Sequence, residues 1–215
     1  MSNEIHELLL LPWRHWTSGG VLLVPIALVC FGIWRSYLGL RGTLLHALKE
    51  GREIEDRLGE TGARRRVEEW VDGDRAGGVF APALARVAAA VRRGIRPAFA
   101  FAREERMAMM RLQRGVVVLA ALTAVAPLLG LLGTVTGMIE TFHAVSVSGA
   151  ETSRRVASGI SSALITTQFG LTVAIPGVFG LARVRRLVHH VQARFGRLRL
   201  EILPLLAPGT RGGRP

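Results

Sequence analysis

Three stretches of this chain carry no Asp, Glu, Lys or Arg: residues 17–34, 115–139 and 156–182, which hold 18, 25 and 27 residues. A helix rises about 1.5 Å per residue, so about 20 residues cross ~30 Å of hydrocarbon. The second and third runs are long enough outright. The first reaches that length if it continues to Leu40 while Arg35 snorkels to the interface. Barrel strands would alternate every second residue, and these runs do not. The expected fold is an all-α membrane protein with transmembrane helices over residues 17–40, 115–139 and 156–182. Glu4, Glu7 and Arg14 stand where a cleaved leader would have a basic segment, and no A-x-A-like site follows, so the first run should persist as a helix.

The net charge of +12 is unevenly placed. Residues 35–114 carry 17 basic and 11 acidic side chains, and residues 183–215 carry eight Arg and one Glu. Residues 1–16 are slightly acidic, and residues 140–155 are balanced. Three spans put both basic segments on one side, which is the positive-inside pattern. The expected layout is a periplasmic interfacial segment at 1–16 and a cytoplasmic helical domain at 41–114. A periplasmic loop at 140–155 and a cytoplasmic tail at 183–215 complete it. Topology thus explains the charge, and no nucleic-acid partner is expected. Arg64, Arg65, Arg66, Arg92, Arg93, Arg183, Arg185 and Arg186 should hold topology and meet anionic lipid headgroups, at about 1 kcal/mol each, with an acidic or signalling segment of a partner in the cytoplasmic cavity as the alternative for some of them.

Leu44, Leu48 and Ile54 or Leu58 form one helical stripe after the first span. Asp72-Gly73-Asp74 and Gly77-Gly78 mark a turn. From Ala81 to Leu112 the pattern is helical and basic and is expected to run without a strong break into the second span, kinked at Pro97. Long helices should therefore extend into the cytoplasm. The tail after Pro204 reads as disordered.

Other chemistry is sparse. Cys30 is the single cysteine, so an internal disulfide or cysteine metal site is excluded. His189 and His190 form a lone pair in a basic segment and read as a solvated face. There is no Ser/His/Asp set or GxGxxG, and GLLGTVTG lacks the GK[ST] ending that grips phosphate. No enzymatic activity, cofactor or metal is expected.

The second and third runs are unusual for lipid anchors in their small and hydroxylic residues. Thr123, Pro127, Gly130, Thr134, Gly137 and Thr141 recur at steps of three and four, which return to one helical face. Gly159, Ala163, Thr167, Gly170, Ala174 and Gly177 do the same, with Ser158, Ser162 and Thr166 beside them. Such faces bring helices close and bond across them. They suit ordinary packing, a narrow path or a partner helix. Pro127 and Pro176 each remove a backbone donor, beside Thr123 and Thr172, whose hydroxyls can satisfy or bend the helix there.

The block AP-x-x-GLLGTVTGMI, from Ala126-Pro127 through Gly130, Gly133 and Gly137, and the block GIS-x-AL-x-TT-x-x-GL-x-x-AIP, from Gly159 to Pro176, resemble the MotA/TolQ/ExbB proton-channel family. Three spans with a loop after the first are most similar to its ExbB and TolQ members, ExbB above all. The resemblance implies a pentameric ring around paired single-span ExbD-like helices, whose proton-carrying aspartate works with the ring to energise TonB and outer-membrane uptake. Thr134 and Thr167 match the family's threonines that face that aspartate. Where the family often has a glutamate in the second block, this chain has Ser162, which cannot carry charge. A TolQ-like envelope role, a MotA-like motility role and a non-conducting scaffold are the alternatives.

The residues themselves agree with a borrowed acid. A proton in hydrocarbon needs a titratable group or a water wire. Residues 115–139 and 156–182 hold no Asp, Glu, Lys, Arg or His, with Glu140 and His143 just beyond the end of the second run. Alone, this chain offers a polar wall and no proton carrier.

Overall fold

The structure, a computed structural model, describes residues 22–58, 78–147 and 152–206. Every element among them is an α-helix: α1 (Leu23–Leu58), α2 (Phe80–Arg92), α3 (Pro97–Val147) and α4 (Thr152–Leu206). Three of these, α1, α3 and α4, are long and apolar enough to cross a membrane. With 51 and 55 residues, α3 and α4 reach about 77 and 83 Å, well over twice a bilayer core. Pro127 and Pro176 lie inside these helices, which continue through them.

The described residues fall into two compact units. One gathers α1 up to Tyr37, Val118–Leu181 and hence the charge-free parts of α3 and α4. The other gathers Leu38–Val117 and the chain from Ala182 on. In the first, the buried residues are small or hydroxylic more often than they are large: Leu23, Ile26, Ile33 and Leu119 against Thr123, Ala126, Thr141, Ala163, Thr166 and Ala174. Gly180 lies against the ring of Tyr37, and Gly32 against Leu122.

The second unit has a conventional large-side-chain core. Phe195 of α4 stacks on Phe80 of α2 at 4.2 Å between ring centroids and meets Phe101 of α3 edge-on at 6.3 Å. Leu44, Ala47 and Ile54 of α1 and Val184, Val188, Val191, Leu198 and Ile202 of α4 complete it. The expected stripe on α1 is thus largely present, with Ala47 in it and Leu48 half-buried.

Two polar clamps hold this core. The amides of Val79, Phe80 and Ala81 donate to the Glu50 carboxylate at 2.9, 3.2 and 2.6 Å. No side chain of α2 itself caps that end, so α1 supplies the acceptor for its orphan donors. Arg194 donates to the carbonyl of Leu48 at 3.2 Å and lies 3.4 Å from Glu55.

One expectation is corrected. The chain does not run unbroken from Ala81 into the second span. Gly94 stands at φ +85, and α2 ends there with the amide of Ile95 donating to Ala90 at 3.1 Å and that of Gly94 to Val91 at 2.9 Å. This is a Schellman close, which needs a left-handed residue that glycine provides without strain. Pro97 then begins α3 instead of kinking it, because a first-turn residue needs no amide partner. At the other end, α4 continues past Pro204 to Leu206. The expectations for residues 1–21, for the turn at 72–77 and for the tail from 207 lie outside the described residues.

Candidate proton-path surface

Within the first unit the charge-free parts of α3 and α4 pack antiparallel along a ladder of small residues. A Cβ added to Gly130 would sit 3.2 Å from the Cα of Thr167 and 3.4 Å from that of Gly170. One added to Gly170 would sit 2.9 Å from the carbonyl oxygen of Ala126. At Gly133 it would strike the side chain of Thr166, at Gly137 the Cβ of Ala163, and at Gly159 the hydroxyl of Thr141. Backbones this close admit no side chain between them. Gly130, Gly133, Gly137, Gly159, Ala163 and Gly170 therefore all touch the facing helix of their own chain. Pro127 is half-buried and Pro176 exposed.

The hydroxyls divide into two sets. Thr123, Thr141 and Thr166 are buried, and each donates to the carbonyl four residues back: Leu119, Gly137 and Ser162, at 2.8, 2.7 and 2.9 Å. Thr172 does the same to Gln168 at 2.8 Å. The threonines beside both prolines thus bond one turn before the carbonyls that Pro127 and Pro176 free.

Thr134 and Thr167 are only half-buried, at the flank of the ladder. Thr134 donates to the carbonyl of Leu131 at 2.7 Å. Thr167 crosses to α3 and donates to the carbonyl of Gly130 at 2.9 Å, with its own Ala163 carbonyl at 3.3 Å. The two hydroxyls are thus tied to carbonyls of consecutive residues, in one turn of α3. A hydroxyl facing a carbonyl can only donate to it, so both oxygens keep lone pairs to accept a further proton donor. Ser162 is half-buried on the other flank of α4. Glu140 and His143 are exposed toward the end of α3.

Sequence periodicity resolved this surface to a helix face and no finer. Steps of three and four fit neighbouring residues almost equally well. Counting placed Thr134 and Thr167 on the ladder and Thr166 beside it, whereas Gly133 and Thr166 lie in the contact and the other two at its edge. Gln168 was not singled out. It is the only amide in residues 156–182 and is exposed on α4, away from the ladder. A scan of the run for amides as well as charges finds it. No group of three His, Cys, Asp or Glu among the described residues could hold a metal ion.

Comparison with known proteins agrees with this architecture. A putative biopolymer transport protein ExbB-like 1 of Synechocystis is 52% identical over 68 residues, 30% of this chain and 27% of that protein. The biopolymer transport protein ExbB of Xanthomonas campestris is 36% identical over 101 residues, 47% of this chain and 40% of its own length. The chain thus spans less than half the length of these two relatives. The Tol-Pal system protein TolQ of Haemophilus influenzae is 29% identical over 212 residues, 91% of this chain and 92% of TolQ. The profile of the MotA/TolQ/ExbB proton channel family matches residues 80–196, more than half of the chain, and so takes in α2, α3 and most of α4. The charge-free helices, the glycine ladder and this match together show that the chain belongs to the MotA/TolQ/ExbB proton channel family.

Proposed function

We propose that this chain is the ring-forming subunit of an inner-membrane proton channel that powers TonB-dependent outer-membrane transport. It sits with its N-terminus in the periplasm and its C-terminus in the cytoplasm, following the basic segments at 35–114 and 183–215. A homo-oligomer, taken as a pentamer, encloses a single-span ExbD-like partner bearing the proton-binding aspartate, and a TonB-like protein receives the work. The observation that carries this reading is the half-buried pair Thr134 and Thr167, set in the membrane-length runs 115–139 and 156–182 that hold no titratable side chain.

The chemistry follows from the hydrogen bonds. When the partner's carboxyl is protonated, its O–H finds the lone pairs of Thr134 and Thr167, whose own protons stay on Leu131 and Gly130. When it is ionised, it attracts those protons, because a bond to a carboxylate is stronger than one to a carbonyl. For Thr167 that exchange releases a bond between α3 and α4, so the acid's protonation state is coupled to the helix contact. Ser162 leaves this path without the fixed charge that many relatives carry.

Proton flux in proteoliposomes tests the reading. Flux should be absent with this chain alone, appear with the aspartate-bearing partner, and fall at least tenfold in Thr167→Val, whose shape is kept and hydroxyl removed. Flux unchanged by that substitution would remove Thr167 from the path. Ser162→Glu should alter flux if that flank also faces the path. A TolQ-like envelope role is the second reading, favoured by the alignment over 91% of this chain. Deleting the gene separates the two: loss of energised uptake supports the first, and detergent sensitivity with normal uptake the second.

A further inference from the structure

We propose that a cleft between α1, α2 and α3 in the second unit binds the headgroup of an anionic phospholipid. This goes beyond the proton-path reading and does not depend on it. The cleft holds about 270 Å³ and is lined by Gly39, Leu40 and Thr43 of α1, by Gly78, Val79, Pro82 and Arg86 at the start of α2, and by Ala108, Arg111 and Leu112 of α3.

Three features set its chemistry. Its floor is mostly apolar, from Leu40, Val79, Pro82, Ala108 and Leu112, while two arginines, Arg86 and Arg111, line it. That combination suits an amphiphile with a negative head. Second, the cleft lies at the ends of two spans. Leu40 closes the apolar stretch of α1, and Leu112 stands three residues before the charge-free run of α3. Along continuous helices those positions are within about 10 Å of hydrocarbon, the depth of lipid phosphates. Third, the positive charge belongs to side chains. Glu50 already takes the amides of Val79, Phe80 and Ala81, so the terminus of α2 is spent. Glu104 holds Nε of Arg86 at 2.5 Å, which leaves the terminal nitrogens of Arg86 and the whole exposed guanidinium of Arg111. Glu104 offsets Arg86, and Glu50 faces the α2 amides, so the exposed guanidinium of Arg111 is the charge offered to a phosphodiester. Guanidinium recognises phosphate by paired donors, so Arg111 is the residue that should carry the selectivity.

The cleft is open at Gly39, where no side chain stands. A Cβ at Gly39 would meet no atom within 4 Å, so that position of the cleft wall has room for a side chain.

The test uses the full-length chain in detergent, stripped of lipid and titrated with dioleoyl-phosphatidylglycerol or dioleoyl-phosphatidylcholine, with bound lipid counted by native mass spectrometry. The anionic lipid should bind at least about tenfold more tightly. Arg111→Gln should weaken it about tenfold, Arg111→Lys less, and Gly39→Phe should abolish it. Arg114→Gln removes the same charge from the same helix outside the cleft and should leave binding unchanged. Equal binding of the two lipids, equal losses in Arg111→Gln and Arg114→Gln, or full binding in a folded Gly39→Phe protein would each overturn the proposal. Displacement of the lipid by millimolar inorganic phosphate would assign the cleft to a soluble anion and overturn it as well. Circular dichroism and the thermal midpoint confirm that each variant is folded. If Gly39→Phe is not, the Arg111→Gln and Arg114→Gln pair decides alone.

Discussion

The two units of this chain use the same helices and opposite packing rules. Around Phe195 the core is held by bulk: stacked rings, branched aliphatics, and two clamps by Glu50 and Arg194. Along the α3–α4 ladder it is held by the absence of bulk. There, Gly130 and Gly170 bring backbone to backbone, and hydroxyls turn inward to carbonyls. The physical reason is the solvent. In water, burying large apolar side chains is favourable in proportion to area. In lipid that gain vanishes, since tails are as apolar as Leu, and close van der Waals contact must replace it. The outward residues agree: Leu128, Leu131, Ile139, Leu164, Ile175 and Phe179 are all exposed in the first unit.

This contrast predicts that the two units fail under opposite substitutions. The largest effect should come from Phe195→Ala, which empties the space between Phe80 and Phe101 and should cost about 3–5 kcal/mol. A thermal midpoint within a degree of wild type would show that this core is not load-sharing as described. Gly170→Val is the mirror test. Its side chain would meet the Ala126 carbonyl, and overpacking of this kind costs about 1–3 kcal/mol. If Gly170→Val is as stable as wild type, the ladder is not a close contact.

Smaller effects sharpen the comparison. Glu50→Ala leaves three amides of α2 without their acceptor and should cost about 1–2 kcal/mol. Hydrogen exchange should quicken over residues 79–92 and stay slow in the α3–α4 ladder. Uniform quickening would mean the clamp supports more than α2. The glycines provide a sign test. Gly196→Ala, where an added Cβ meets nothing within 4 Å, should stabilise by about 0.5–1 kcal/mol, while Gly133→Ala, facing Thr166, should destabilise. Two shifts of the same sign would erase the distinction. Thr167→Val should likewise cost little stability, about 0.6 kcal/mol for one interhelical hydrogen bond, although it should lower proton flux at least tenfold.

Much of this was readable from residue types. Charges are costly in hydrocarbon, so their absence from 115–139 and 156–182 marks spans directly. The glycines at 130, 137, 159 and 170 announced a close helix face, and the blocks that contain them carried the resemblance to the family later matched over residues 80–196. The match begins earlier than those blocks, in the soluble-type core, where apolar periodicity alone is common to countless helices. Pro97 was misjudged because proline is compatible with both a kink and a first turn. The Schellman close at Gly94 decided between them.

The sequence by itself therefore determined what each helix is made of: which lengths can lie in lipid, which face is small, and that no proton carrier lies inside the second and third spans. Only the tertiary structure decided the partners. It put Thr166 into the contact and left Thr167 at its edge, bonded to Gly130. It carried Glu50 to a helix end 29 to 31 residues away. It also opened a cleft beside Arg111. A helical repeat of 3.6 residues specifies a face to within about one residue, whereas a hydrogen bond needs a particular atom within about 3 Å, and that precision comes only when two helices meet.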